Sequence, residues 1–109
     1  MIGGFILGNH NGGSRVVVRA IGPSLSAFGI AAPLQDPVLD LYNSSGTHIA
    51  TDNNWKDSQE VAIEASGFSP RDSREAAIVS VLAPGAYTAI VRSHDNTGGI
   101  ALVEVYDLH

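Results

Sequence analysis

"EAAIVSVLAPGAYTAIVRSHDNTGGIALVEVYDL", residues 75–108, contains three strand-like runs parted by the turn-forming groups APGA and HDNTGG. Along the middle run Tyr87, Ala89 and Val91 face one way while Thr88, Ile90 and Arg92 face the other, the period-two pattern of a strand with one buried face. In the last run Ala101, Val103 and Val105 oppose Leu102, Glu104 and Tyr106. Pro84-Gly85 suits the central positions of a type II turn, and Asp95, Asn96, Gly98 and Gly99 supply left-handed conformations for a longer loop.

The same grammar extends toward the amino terminus. "RVVVRAIG", residues 15–22, sets Val16, Val18 and Ala20 against Arg15, Val17, Arg19 and Ile21, and the glycine-bounded "GGFILG", residues 3–8, is expected to pair with it through the loop between them. "VLDLYN", residues 38–43, opposes Val38, Asp40 and Tyr42 to Leu39 and Leu41, then turns through SSG into THIAT as a hairpin. Between these runs "PSLSAFGIAAPLQDP", residues 23–37, carries three prolines and a glycine. That stretch reads as too irregular for a helix and as a crossing between layers, with Leu25, Phe28, Ile30 and Leu34 filling the core. Helical grammar occurs in "DSQEVAIEASG", residues 57–67, where Asp57 and Glu60 have capping-box spacing and Gly67 stands at the C′ position. About seven short strands and one short helix near residues 58–66 make the economical architecture all-β: a single domain over residues 1–109, built as an antiparallel two-sheet sandwich, jelly-roll-like.

Composition narrows the function classes. The 109 residues contain no cysteine, which removes disulfides and thiolate metal sites. Six Lys+Arg against eleven Asp+Glu give a net charge of −5, a balance that disfavours a nucleic-acid backbone or an anionic membrane surface as partner. "MIGGFILGNHNGG", residues 1–13, has no basic leading region and no apolar run long enough for a signal peptide or a membrane span.

Residues 36–107 resemble the β-sandwich modules of the bacterial pre-peptidase C-terminal type. The likeness lies in "LDLYNSSGTHIATD" (residues 39–52), a strand opened by Ser73-x-Glu75, "LAPGAYTAIV" (residues 82–91) as a second hairpin, and the closing apolar strand. The amino-terminal "GFILG" and "RVVVRAIGPSL" are similar to the start of a related module that recurs in long secreted bacterial proteins. The resemblance implies an extracellular or cell-surface, non-catalytic module attached to hydrolases or repeated in surface proteins. Some relatives bind calcium or an extracellular polymer such as collagen or polysaccharide. "TDNNWKD", residues 51–57, departs from the family where a metal site would lie, and no complete ligand set can be carried over.

Candidate site residues gather in that stretch. Asp52, Asn54 and Asp57, with Asn53, offer oxygen ligands of the type calcium requires, though without the spacing of a helix-loop-helix calcium site. Asx residues in a turn that caps the following helix are the competing reading. Trp55 and Tyr42 could form an aromatic platform for a sugar ring, against the alternative that a lone tryptophan fills the core. Arg15 or Arg19 is expected in a structural ion pair with Asp36 or Asp107, and Ser73 and Glu75 are expected to serve the fold. Ser24 and Ser58 lack a nucleophile elbow, and His10, His48, His94 and His109 are isolated, so no catalytic set assembles from spacing.

Three readings of function follow. The first is a non-catalytic interaction or adhesion module of a secreted or surface protein, with protein or extracellular polysaccharide as partner and no required cofactor. The second is a structural subunit that forms homo-oligomers by strand addition through Gly4, Phe5, Ile6 and Leu7. The third is a calcium-dependent carbohydrate-binding module. The loops NHNGG, TDNNWKD and HDNTGG would be contact surfaces if the fold gathers them at one end.

Overall fold

The computed structural model describes residues 2–8, 13–94 and 98–108. Among them are strands β1 (Ile2–Leu7), β2 (Ser14–Ile21), β3 (Pro37–Asn43), β4 (His48–Asp52), β5 (Ala76–Leu82), β6 (Gly85–Ser93) and β7 (Leu102–Asp107). A 3-10 helix spans Pro23–Phe28 and helix α1 spans Glu60–Ser66. The strands form a four-stranded sheet in the order β1-β6-β3-β4 and a three-stranded sheet in the order β5-β2-β7, with every pairing antiparallel. This is the all-β two-sheet architecture that the alternating runs imply.

The inward faces are those the alternation marks. Val16, Val18 and Ala20 of β2 meet Leu39 and Leu41 of β3 and Tyr87, Ala89 and Val91 of β6 in one buried cluster. Phe5 stacks on Tyr87 with ring centroids 5.5 Å apart, and Leu7 is buried beside them, so β1 is fastened by its inner face. A smaller cluster of Trp55, Ile63 and Ala77 lies against the other face of β5, where α1 covers the three-stranded sheet.

Strand pairing departs from the sequence reading in two places. β1 does not pair with β2; it joins β6 in the register Phe5↔Tyr87, while β2 pairs with β5 and β7. Nor do β5 and β6 make a hairpin, because they belong to different sheets. Gly85 has φ 149°, far from the ~80° of a type II turn, and opens β6 in an extended direction. The chain therefore rounds a corner between sheets, held by the Tyr87 hydroxyl donating to the Ala83 carbonyl at 2.6 Å. The β3–β4 hairpin forms as expected, with Gly46 at φ 80° in its turn.

Both helical segments also differ in detail. Residues 23–28 are a 3-10 helix rather than irregular chain, with Pro23 supplying a fixed φ at its first turn. Leu25 and Leu34 are buried as expected, but Phe28 is 69% exposed and does not fill the core. α1 begins at Glu60 behind Gln59, and the Asp57–Glu60 capping box is not made. Its carboxyl end follows the expectation, with Gly67 left-handed at φ 83° and its N–H bonded to the Glu64 carbonyl.

Candidate interaction surface

A sandwich has two open sides, each flanked by the edge strands of its sheets, and exposed edges invite pairing with other chains. In this fold the two sides are treated differently. On the side of β4 and β5, residues 52–59 occupy the outer edge of β5. Trp55 N–H donates to the Glu75 carbonyl at 2.9 Å, and Asp52 Oδ2 accepts from Ala77 N–H at 3.0 Å. The Gln59 carboxamide takes both groups of Val79, donating to its carbonyl at 2.8 Å and accepting from its N–H at 3.0 Å. One backbone N–H and two side chains, those of Asp52 and Gln59, thus do the work of a neighbouring strand.

Asp52 has its two oxygens committed there, the second within 3.4 Å of the Ser58 hydroxyl. Burial pushes its carboxyl up to about 6, outweighing the bonds from Ala77 and Ser58, and nearby Asp57 adds to the rise. The unfolded chain titrates near 3.8, so the folded form favours the protonated acid. The stability this group contributes is complete below about pH 4 and is lost as pH rises through about 6, a change on the order of 2–3 kcal/mol. Replacing Asp52 with Asn keeps an acceptor for Ala77 without the charge. Urea unfolding from pH 4 to 8 is expected to show the wild type weakening over that window, with Asp52→Asn flatter and more stable at pH 8.

The other expected site residues are distributed as follows. Asp57 is exposed, and its N–H donates to the Asn54 carbonyl in a turn. Among the described residues no group of three or more His, Asp or Glu side chains is arranged to hold a metal ion. Trp55 is 6% exposed, beneath α1, with the Lys56 ammonium 5.4 Å from its ring. Tyr42 lies on the outer face of the four-stranded sheet, edge-on to His48 and beside a cavity of about 450 Å³. The two aromatics are on outer faces of different sheets and do not form a shared platform, because the sugar-facing ring expected of Trp55 is buried.

Arg19 is ion-paired, as expected, but with Glu104 across the β2–β7 ladder rather than with Asp36 or Asp107. His48 joins Arg92 on Asp40, where burial pushes the carboxyl up but hydrogen bonds from Thr51, Arg92 and His48 bring it below the ordinary carboxylate value. His94 lies 3.4 Å from Asp36. His10, His109 and most of the loops NHNGG and HDNTGG lie outside the described residues.

On the opposite side, β1 and β7 are the edge strands of their sheets. They lie against one another, with Gly3 close enough to Val103 that an added Cβ would stand 3.5 Å from its Cγ1, but they share no ladder. β1 pairs with β6 alone, and no bond among the described residues covers its outer edge. The strand "IGGFIL" has no charge and no proline. Its Ile2 and Ile6 are 71% and 81% exposed on the outer face, where Ile2 stands opposite Ile90 and Ile6 opposite Ala86. Gly4, Phe5, Ile6 and Leu7 therefore divide by face, with Phe5 and Leu7 holding the strand to the core and Gly4 and Ile6 pointing away.

No helix among the described residues is long and apolar enough to cross a membrane. The chain is, by architecture, a two-sheet antiparallel β-sandwich, plugged on one side and, among the described residues, open on the other. Comparison with family models, curated proteins and solved structures returns no match.

Proposed function

We propose that the chain is a non-catalytic, extracellular interaction module that associates by strand addition at the edge of β1, with a second copy of the chain as its simplest partner. One observation carries this reading: residues 52–59 plug the edge of β5, whereas among the described residues nothing bonds to the outer edge of β1, which is uncharged and flanked by exposed Ile2 and Ile6. Natural sandwiches blunt such an edge with a charge, a proline or a bulge, and β1 has neither of the first two. Pairing there would satisfy backbone donors and acceptors in register while Ile2 and Ile6 bury apolar area. Because β1 carries no charge, two copies can meet at this strand although each chain has a net charge of −5. The extracellular setting rests on the family resemblance, and the non-catalytic reading on the lack of an acid, base and nucleophile set in the sequence.

Light scattering over a wide concentration range tests the proposal. Particle mass is expected to rise with concentration for the wild type and to stay at that of the monomer for Ile6→Lys, which places an ammonium on the outer face without touching the core. A wild type that is monomeric at every concentration overturns self-association, and equal assembly by Ile6→Lys removes β1 as the contact.

A further inference from the structure

The outer face of the three-stranded sheet holds a second cavity, of about 460 Å³, with no residue of β1 in its lining. Its apolar part is Ile21, Leu25 and Leu102, and its rim is Phe28 with Arg71. Three observations bear on what could enter. Phe28 is a large aromatic left on the surface, and the Arg71 guanidinium sits 5.8 Å from the centre of its ring. The other cation of the cavity, Arg19, is already neutralised by Glu104 and donates its remaining amino group to the Phe68 carbonyl at 3.2 Å. Arg71 has no carboxylate partner among the described residues, so the cavity presents one uncompensated positive charge beside an apolar floor.

Hydroxyl groups complete the lining. Ser24 gives its proton to Glu75 at 2.6 Å and so turns acceptor lone pairs outward, while Ser69 makes no hydrogen bond to a described residue. Pockets that bind small molecules are largely apolar with a few placed polar groups, and a guanidinium is the side chain best matched to a carboxylate.

We infer that this cavity binds a small organic monocarboxylate with an apolar or aromatic body. The carboxylate pairs with Arg71 and Ser69, and the body lies on Phe28, Leu25 and Leu102. A single negative charge fits better than a polyanion, because the chain's net charge of −5 repels further anionic groups at longer range.

The probe is 3-phenylpropionate, titrated into the isotope-labelled protein and followed by amide chemical shifts, with 3-phenylpropanamide as the uncharged isostere. Saturable shifts are expected in residues 24–28, 69–71 and 102–104, with the amide binding at least about tenfold more weakly. Arg71→Gln, an exposed change that leaves the fold intact, is expected to weaken the carboxylate by a similar factor without affecting the amide. Phe28→Ala should weaken both probes. No saturable shifts at millimolar probe, equal binding of acid and amide, or indifference to Arg71→Gln each overturns the assignment. None of these outcomes depends on the state of β1, so this test and the light-scattering test fail independently.

Discussion

Replacing Glu75 with alanine is expected to lower the unfolding free energy by about 4 kcal/mol, since buried donors stripped of their acceptor cost roughly 1–3 kcal/mol each. Glu75 is fully buried where the chain enters β5. Its Oε2 accepts from the backbone N–H groups of Gly22 and Ser24, both at 2.9 Å. Oε1 accepts from the Ser24 hydroxyl at 2.6 Å and from Asp72 N–H at 3.1 Å. A single side chain thus ties together the end of β2, the first turn of the 3-10 helix and the loop before β5. Alanine removes all four bonds and leaves a void. Glu75→Gln keeps one acceptor oxygen but turns an amide N–H₂ toward existing donors, so a loss of about half that size is expected. Urea unfolding with an unchanged slope checks both values. A loss below about 1 kcal/mol for the alanine variant would mean that water replaces the carboxylate. Because Ser24 and Leu25 line the cavity of the three-stranded sheet, the same variant should also broaden the amide signals of residues 24–28.

Glu75 illustrates what was legible in the sequence and what was not. Its place at the opening of a strand and its service to the fold were readable, but its four partners were not, because three of the donors come from residues about fifty positions away. Strand faces were legible in β2, β3, β6 and β7, since alternation records which side meets the core. Strand neighbours were not, because alternation is silent about who lies alongside. β1 shows the difference: its apolar run predicted a strand, yet its partner is β6 and not β2. APGA signalled a bend, but a hairpin and a corner between sheets use the same residues. In the corner that forms, the Tyr87 hydroxyl donates to the Ala83 carbonyl, a contact that APGA does not announce.

The polar stretch 51–57 was legible as a cluster of oxygens and not as an edge plug, a role that requires knowing that β5 ends its sheet. Gln59 drew no notice in the sequence, although its carboxamide copies a peptide group against Val79. Phe28 was misplaced for a local reason. In a 3-10 helix residues three apart eclipse, so Phe28 stands above Leu25 on one side, with Leu25 reaching the interior and Phe28 stopping at the rim. The cavity those two residues help to line could be assembled only once β7, the 3-10 helix and the loop near Arg71 were seen side by side.

Gly22→Ala is expected to cost about 3 kcal/mol or more, the upper range for forcing an atom into a packed site. A Cβ at this position would stand 2.1 Å from the Leu34 carbonyl oxygen and 3.1 Å from its carbon, both of them backbone. Leu34 cannot yield cheaply, because its N–H donates to the Ile100 carbonyl at 2.7 Å and Ile100 N–H donates to the Ala32 carbonyl at 2.8 Å. From the other side a Cβ on Gly99 would come within 2.6 Å of Leu34 Cα and N. The backbone of Leu34 is therefore held between two glycines, which lets the crossing segment lie against both the end of β2 and the start of β7. Gly29→Ala is the control: its φ of 83° strains an L residue but its Cβ position is open, so a loss of about 1 kcal/mol is expected. Thermal unfolding of both variants should separate overlap from backbone strain. Gly22 also donates its N–H to Glu75, so the double variant Gly22→Ala, Glu75→Gln is expected to lose less than the sum of the single losses. A shortfall of that kind would show that the Leu34 crossing and the Glu75 knot hold the same piece of chain, whereas strict additivity would make them separate anchors.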